Sequence, residues 1–424
     1  ACLVGSEMCI RDRGTGEEKP GTGEDKPSTG GNTDKGDKPG ERVDNEVREQ
    51  APGFKDGDIY VSAKGSSEGD GSYEKPMDFV TALNTVKPGN TIWMFSATYY
   101  VYDMYKAPVI ISEDNSGTAD AYKTVSSING KPVTINFDGM AEEGSNRGIT
   151  LDGSYWHFYD IDICNAGDNG MLLSGDHNVI ELCRFYANHD SGLQISRYNT
   201  SYNSIEQWPS YNTILNCTAY DNKDIRTCEN ADGFAAKLTC GEGNVFDGCI
   251  SYCNSDDGWD CYAAHGAVTL VNCQANYNGL CNGIYGDGNG FKMGGSSISG
   301  HHILRNSVSF GNKAKGIDSN SCPDIEAYSS TSYNNESFNV AFYTNDAKNT
   351  AFMAKGILSF KDSSNAAGQT VTEQFKPKGT QETSAYENAM NYYWRGENST
   401  NSEGIAATAE WFQNMDMNSA ILSL

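Results

Sequence analysis

A spaced repeat that begins at about residue 155 constrains the fold more than any other feature. Six segments each end in an asparagine, and a cysteine or serine lies five positions before it. The cysteine or serine residues are Cys183, Cys217, Cys249, Cys273, Ser307 and Ser329, and the asparagines are Asn188, Asn222, Asn254, Asn278, Asn312 and Asn334. Asn165 begins the series one turn earlier. Short alternations of β-branched and aromatic residues within the segments are typical of strands. Repeats of this length predict a solenoid.

These features predict an all-β fold, a right-handed parallel β-helix, because crossovers between parallel strands are overwhelmingly right-handed. An asparagine at each tight turn can adopt the left-handed conformation and hydrogen-bond to its copies on neighbouring coils. The cysteine column then forms a ladder of small buried side chains. Disulfides between neighbouring coils are the alternative. The total of 13 cysteines is odd, so at least one thiol is unpaired or pairs between chains.

The open ends of such a helix require covers. Residues 75–87 predict an N-terminal cap helix, because Phe79, Leu83 and Val86 follow helical spacing and Pro76 suits a helix start. Residues from about 380 to 424 predict a C-terminal cap, in which 383–395 and 404–415 are helical or irregular.

The first residues do not belong to this pattern. Residues 1–13 lack the basic start and apolar core of a signal peptide and resemble a translated sequencing-adapter fragment, which we interpret as a non-native artefact. Residues 14–52 are rich in Gly, Thr, Pro and charged residues, which predicts a disordered linker. It is either a plain tail or a tether to a cell surface. Residues 53–424 form the predicted β-helix domain.

The net charge of the chain limits which macromolecules it can bind. The formal net charge is −25, which disfavours nucleic acid and anionic membranes. The sequence contains no apolar run of about 18 residues, so we expect no membrane span. An acidic polymer would need bound cations or a local basic strip to approach this surface. We expect a monomer that is secreted or tethered to a bacterial cell surface.

Glycines that precede a large apolar residue mark equivalent positions on successive coils. The residues just before these glycines are Ser191, Asp232, Asp257, Asn289 and Lys315, and those two positions after them are Gln194, Ala235, Asp260, Lys292 and Asp318. This register predicts that Asp232 lies beside Asp257 and Asp260 beside Lys292. Asp256 adds a carboxylate at the same corner.

Such a group of carboxylates predicts a cation site. Carboxylates on neighbouring coils repel each other unless something neutralises them, and hard oxygen ligands favour Ca²⁺ over Zn²⁺. Asp232, Asp256, Asp257 and Asp260 are the expected ligands; the alternative is that each caps a turn through backbone hydrogen bonds. Lys292 beside them is the expected base, since a nearby cation lowers the pKa of its ammonium. A plain salt bridge between Lys292 and Asp260 is the alternative.

The residues resemble the polysaccharide lyases of family 9, the β-helical pectate lyases and their relatives. The resemblance rests on A-D-G-F-A-A-K-L, G-N-V-F-D-G-C, N-S-D-D-G-W-D, G-N-G-F-K-M-G-G and G-N-K-A-K-G-I-D, and covers about residues 58–345. It implies Ca²⁺ held by the four aspartates. It also implies that Lys292 removes the C5 proton of a uronate, so that β-elimination leaves a 4,5-unsaturated sugar. The implied partner is an acidic plant cell-wall polysaccharide, pectate or pectin.

Substrate contacts are less defined. The candidates for binding uronate carboxylates are Lys237, Arg305, Lys313 and Lys315, with solvated surface as the alternative for each. Trp and Tyr residues such as Trp208, Tyr262 and Tyr285 could stack on sugars or pack in the core or within loops. A rhamnogalacturonan lyase with the same mechanism, a glycoside hydrolase on the same fold and a non-catalytic carbohydrate-binding adhesin stay open as alternative functions.

Overall fold

The structure, a computed structural model, describes residues 45–344, 351–355, 357–360, 382–384 and 392–395. Among these residues the helices are short. They are α1 (Phe79–Thr85), α2 (Val101–Tyr105) and one 3₁₀ turn (Ile205–Gln207). Within this part of the chain, none has the length or apolar run needed to cross a bilayer.

Strands make up nearly all of the remaining regular structure. The first are β1 (Ile59–Ser66), β2 (Thr91–Met94), β3 (Ala97–Tyr100), β4 (Val109–Ile111), β5 (Lys123–Ser127), β6 (Val133–Asn136), β7 (Ile149–Leu151), β8 (Trp156–Tyr159), β9 (Asp162–Cys164) and β10 (Met171–Leu173). The central ones are β11 (Val179–Glu181), β12 (Arg184–Tyr186), β13 (Leu193–Ile195), β14 (Thr213–Leu215), β15 (Thr218–Tyr220), β16 (Phe234–Ala236), β17 (Asn244–Asp247), β18 (Ile250–Tyr252), β19 (Trp259–Asp260), β20 (Val268–Val271) and β21 (Gln274–Asn276). The last are β22 (Phe291–Lys292), β23 (Ile303–Arg305), β24 (Val308–Phe310), β25 (Ile317–Asp318), β26 (Glu326–Tyr328), β27 (Thr331–Tyr333), β28 (Val340–Tyr343), β29 (Met353–Lys355), β30 (Leu358–Phe360), β31 (Glu382–Ser384) and β32 (Tyr392–Arg395).

The strands form three long sheets that run along one axis. Sheet 1 has the order β1-β2-β5-β8-β11-β14-β17-β20-β23-β26-β29, and sheet 2 the order β3-β6-β9-β12-β15-β18-β21-β24-β27-β30. Sheet 3 has the order β4-β7-β10-β13-β16-β19-β22-β25-β28-β32-β31. The neighbours pair in parallel except β31 with β32. Each coil passes through sheets 1, 2 and 3 in turn, which confirms the predicted parallel β-helix.

Large aromatic residues stack inside the helix behind sheet 3. Phe234, Trp259 and Phe291 are fully buried on successive coils, with ring centroids 5.0 Å apart at both steps. Each follows one of the glycines used as register marks in the sequence. Because successive strand residues point to opposite faces, the residue after each aromatic ring points outward.

An asparagine ladder lies at the corner between sheets 2 and 3. The Oδ1 atom of Asn222 accepts hydrogen bonds from the backbone N–H and Nδ2 of Asn188, at 3.1 and 2.9 Å. The Nδ2 atom of Asn222 in turn donates to Asn254 Oδ1 at 2.9 Å. The ladder then continues through Asn278, Asn312 and Asn335. In these bonds the backbone N–H of each ladder asparagine finds an acceptor on the next coil, which fixes neighbouring coils in one register.

The predicted positions at the two ends of this ladder were wrong by one residue. Asn335, not Asn334, bonds to Asn312, and the backbone N–H of Ala166, not Asn165, donates to Asn188. Asn165 and Asn334 occupy the preceding turn position, where the backbone is left-handed with φ of 58° and 53°. Asparagine suits both positions, so the sequence did not distinguish them.

The cysteine column is a ladder of free thiols, as predicted, and not a series of disulfides. Cys183, Cys217, Cys249 and Cys273 are fully buried and unpaired. Each thiol donates to a backbone carbonyl of the preceding coil, at 3.3 Å from Cys217 to Ile180. By the strand register, Ser307 and then Ser330, rather than the predicted Ser329, continue this column.

The N-terminal end is covered by α1. Asp78 caps this helix by accepting a hydrogen bond from Thr81 N, so the helix begins after the predicted Pro76. Its buried residues include Phe79 and Leu83, two of the three residues on which the prediction rested. Residues 45–52, which composition assigned to the linker, belong to the same compact unit as the coils, and Val47 bridges to Ser96.

Part of the predicted C-terminal cap is described. The expectation of helical or irregular structure over 383–395 was wrong for β32, which adds a parallel strand to β28 at the end of sheet 3. Residues 404–415 lie outside the described residues, as do the predicted artefact at 1–13 and the linker at 14–44.

The ladder predicts a large stability loss on Asn222→Ala. This change removes the acceptor for the backbone N–H and Nδ2 of Asn188, and the Nδ2 donor to Asn254 Oδ1 and Phe185 O, which costs about 3 kcal/mol or more in the free energy of unfolding. Urea unfolding measures the change. Asn84→Ala on the exposed face of α1 is the control and should change it by less than about 0.5 kcal/mol. Equal losses in the two variants would contradict the ladder's role.

Candidate metal and catalytic site

The outer face of sheet 3 carries the predicted row of side chains. Pairing of β13, β16, β19, β22 and β25 places Gln194, Ala235, Asp260, Lys292 and Asp318 side by side. The predicted register is therefore confirmed. Asp260 and Lys292 point outward because the aromatic residue before each of them fills the core.

The aspartates form two groups that share one residue. Carboxylate oxygens of Asp232, Asp257 and Asp260 lie within 4.8 Å of one another, and so do those of Asp256, Asp257 and Asp287. The structure thus gathers the four predicted ligands at one corner but splits them into overlapping triads. The first three carboxylates are at most 4% exposed, whereas the Asp287 side chain is 63% exposed.

Asp287 is a member of the site that sequence analysis missed. It lies in the loop before β22, and its backbone N–H donates to Asp256 Oδ1 at 2.7 Å. The other oxygen of Asp256 accepts from Asn230 N at 2.8 Å. The sequence signal was an acidic residue in the glycine-rich stretch ahead of Lys292, but register marks on strands do not locate loop residues.

Lys292 lies among these carboxylates. Its Nζ atom is 2.9 Å from Asp257 Oδ2, 3.7 Å from Asp260 Oδ1 and 3.8 Å from Asp287 Oδ2. Lys292 is 9% exposed, so its amine is largely enclosed by these carboxylates on the outer face of sheet 3. The predicted contact between Lys292 and Asp260 is therefore present, together with a closer one to Asp257.

Lys237 also enters the cluster. Its Nζ atom is 2.9 Å from Asp232 Oδ2 and 3.5 Å from Asp260 Oδ2, and the residue is 7% exposed. The sequence suggested a substrate contact on the surface, whereas the structure places this ammonium inside the acidic group.

Of the other three basic candidates, two lie near the cluster and one does not. Lys315 pairs with Asp318 at 2.9 Å, one coil beyond Lys292. The Lys313 Nζ atom lies 4.8 Å from the centre of the Tyr285 ring and donates to Gly286 O, beside the loop that carries Asp287. Arg305 is on β23 in sheet 1 and stacks over Tyr328, so the structure does not bring it to the cluster.

Burial governs the ionisation of the carboxyls. It raises the pKa of Asp232 to about 7, of Asp257 to about 6 and of Asp256 to about 9, and the neighbouring carboxylates add to the rise. Burial acts in the opposite direction on the two ammonium groups, but the surrounding aspartates outweigh it. They raise the pKa of both Lys237 and Lys292 above that of an ordinary lysine.

The donor set fits Ca²⁺. Both triads consist of carboxylates, without a histidine or thiolate, and oxygen donors at this density suit a hard cation. Their spacing and burial leave like charges close together in a medium of low polarity, which a divalent ion relieves. Each of the four carboxylates also accepts a backbone N–H, at 3.2, 2.8, 2.6 and 2.8 Å for Asp232, Asp256, Asp257 and Asp260, so the alternative of backbone capping is present together with the cluster.

An exposed tyrosine flanks Lys292. The Tyr262 ring centre is 5.9 Å from Lys292 Nζ, and the residue is 40% exposed. Its ring lies against Gly295, where a Cβ atom would come within 2.3 Å of the ring. The Ser296 hydroxyl donates to the Tyr262 hydroxyl at 2.8 Å. The ring is therefore held in place beside the amine while part of it faces solvent.

Comparisons with known proteins agree on one family. The family model described as "Pel9A-like, right handed beta helix region" matches residues 59–351, which agrees with the predicted hand of the helix. Pectate lyase L of Paenibacillus polymyxa is 35% identical over 366 residues, 84% of this chain and 76% of that protein. Pectate lyase L of Thermoclostridium stercorarium is 42% identical over 314 residues, 72% of this chain. The match spans only 24% of that longer protein.

Solved structures give the same result. The crystal structure of pectate lyase Pel9A superposes with a TM-score of 0.64 at 31% identity and covers 74% of this chain and 78% of that one. A rhamnogalacturonan lyase superposes with a TM-score of 0.62 at 20% identity, over 82% and 89% of the two chains, which shows a shared fold alone.

The raised carboxyl pKa values predict how stability depends on pH without metal. Burial favours the protonated form of these carboxyls. Their contribution to the free energy of unfolding is therefore complete below the ordinary carboxyl pKa, and it is lost as pH rises through about 6, 7 and 9. In chelator, the melting temperature should therefore fall between pH 5 and pH 9 more steeply in the wild type than in Asp232→Asn/Asp257→Asn. Melting curves across this range test it, and parallel slopes would contradict it.

Proposed function

The chain belongs to the Pel9A-like family of right-handed β-helix polysaccharide lyases, and from this we propose that it is a secreted, Ca²⁺-dependent pectate lyase. Its substrate is 4-linked galacturonan, which it cleaves by β-elimination to 4,5-unsaturated products. The observation that carries the proposal is the position of Lys292. Its amine lies 2.9 Å from Asp257, among buried carboxylates on an outward-facing strand.

Lys292 is the proposed Brønsted base. Its neutral amine accepts the C5 proton of a uronate, the C5–H electron pair forms the C4–C5 double bond, and the bond from C4 to the glycosidic oxygen breaks. The released oxygen takes a proton from solvent and becomes a hydroxyl. An amine suits this step because the C5 proton is only weakly acidic and a carboxylate is a weaker base.

The carboxylates are the proposed metal ligands. Asp232, Asp257 and Asp260, with Asp256 beside them, would hold Ca²⁺. When bound, Ca²⁺ supplies positive charge that acidifies the C5–H of a coordinated uronate and lowers the pKa of Lys292. The aspartates thus have two tasks, since they also hold the Lys292 amine at the surface that faces the polymer.

Local cations resolve the conflict between an acidic protein and an acidic polymer. The chain carries a net charge of −25, so a uronate polymer is repelled over most of the surface. Lys313 and Lys315 lie one coil beyond Lys292, by the pairing of β22 with β25. We assign them to uronate carboxylates on that side of the cleavage point. Secretion follows from the substrate, because a cell-wall polymer is met outside the cell.

Lys292→Ala is expected to abolish β-elimination. The loss of a general base lowers kcat by about a thousandfold. The measurement is the ultraviolet absorbance of the unsaturated uronate during incubation with de-esterified polygalacturonate and Ca²⁺. Lys131→Ala, at an exposed lysine near Glu49, is the matched control and should keep wild-type activity. Undiminished product from Lys292→Ala would refute the assigned base.

Chelation provides the second arm of that assay. Excess chelator should stop product formation by the wild type, and added Ca²⁺ should restore it. Cleavage that produces no double bond would indicate a hydrolase. Activity confined to rhamnogalacturonan would keep the mechanism but replace the substrate. Polymer binding without any cleavage would support a carbohydrate-binding protein.

Tyr262 is expected to position a sugar ring beside the base. Tyr262→Ala should raise KM for polygalacturonate about tenfold, the equivalent of about 1.4 kcal/mol, with a small change in kcat. Tyr262→Phe should stay near wild type because the ring face is retained. Tyr328→Ala on sheet 1 is the control. Michaelis curves give KM for the wild type and the three variants. An unchanged KM in Tyr262→Ala would exclude a contact between the Tyr262 ring and the sugar.

A further inference from the structure

The Lys237 ammonium is built into the acidic cluster as a fixed part of it. Lys237 follows β16, and its side chain is 9% exposed. The Nζ atom bonds to Asp232 Oδ2 at 2.9 Å, and Asp260 Oδ2 lies 3.5 Å away. Two of the three donors of this ammonium therefore meet carboxylates, and the lysine acts on the carboxylates themselves.

Asp232, the partner of Lys237, is as fully enclosed as Asp257, the nearest partner of Lys292. It has no exposed surface, and its Oδ2 atom also accepts from the Ser191 hydroxyl at 3.0 Å. Its Oδ1 atom accepts from Asp257 N at 3.2 Å. Lys292, by contrast, reaches the exposed Asp287 at 3.8 Å and stands at the mouth of the site. The two lysines are almost equally buried, and they differ in that Lys292 also contacts the exposed Asp287.

The charges of the cluster are informative. Asp232, Asp256, Asp257, Asp260 and Asp287 carry five negative charges when ionised, and Lys237 and Lys292 carry two positive ones. The group has a formal charge of −3, and without Lys237 the same group would have a charge of −4.

We propose that Lys237 is a resident counter-ion that lowers the negative charge of the cluster and so favours a divalent over a trivalent bound metal. The inference rests on the proposed metal site and goes beyond it, because it assigns a role to a residue that contacts neither substrate nor product. A unit positive charge a few ångströms from a metal repels a trivalent ion more than a divalent one. Lys237 therefore disfavours trivalent ions.

The test compares Ca²⁺ with Tb³⁺, an oxygen-preferring trivalent ion of similar size. Each is titrated into the full chain by calorimetry, with Tb³⁺ luminescence as a second readout. Lys237→Met is expected to raise the ratio of the Ca²⁺ Kd to the Tb³⁺ Kd by about tenfold relative to wild type. Lys237→Arg keeps the charge and should keep the ratio. Lys315→Met, on the coil beyond Lys292, is the control and should keep the ratio too.

A stability measurement covers the case in which Lys237→Met folds poorly. Lys237→Gln removes the same charge but keeps a polar end for Asp232. In this variant, saturating Ca²⁺ should raise the melting temperature by more than it does in the wild type, because the metal-free cluster has lost an internal cation. An equal or smaller rise would overturn the proposal.

The outcomes separate this inference from the proposed function. If the wild type binds Ca²⁺ and the Kd ratio is unchanged in Lys237→Met, the selection role is wrong and the lyase proposal stands. If the wild type binds neither ion, the metal site itself is wrong, and both proposals fail. If Lys315→Met shifts the ratio as much as Lys237→Met, distant charge explains the effect and the special role of Lys237 is refuted.

Discussion

The hydrogen-bonded asparagine ladder is the constraint on which the rest of this structure depends. Asn188, Asn222, Asn254, Asn278 and Asn312 bond to one another along the corner between sheets 2 and 3. Strands pair in any register that satisfies their backbones, so side chains must specify the one in use. The ladder does so three residues before Asp257 and sets the corner at which the carboxylates meet.

Stacked coils impose a separation of about 4.8 Å between equivalent residues, and the site uses this spacing. The same distance that stacks Phe234, Trp259 and Phe291 in the core brings Asp260 beside Lys292 on the outer face. In the core, proximity is favourable for apolar rings. On the outer face, proximity of carboxylates is unfavourable and makes the cluster a place for cations.

In the cluster, hydrogen bonds and positive charges offset part of the cost of burying carboxylates. Several carboxylates with little solvent access would be unstable without compensation. The protein supplies a backbone N–H group to each of the four buried aspartates and two ammonium groups from Lys237 and Lys292. The compensation is incomplete, since the formal charge remains negative. This residual charge connects the electrostatics of the fold with the proposed calcium chemistry.

The sequence by itself determined the β-helix, the column of thiols and the register that aligns Asp232, Asp257, Asp260 and Lys292. These features were predictable because strands alternate with a period of two and every coil repeats the same marks. The sequence misplaced Asn165 and Asn334, because the left-handed turn position and the ladder position are adjacent and accept the same residue. Only the tertiary structure decided that Lys237 turns inward, that Asp287 joins the site and that Arg305 lies on another sheet. Long flexible side chains and variable loops have no fixed period, so their positions depend on contacts between coils that spacing alone does not encode.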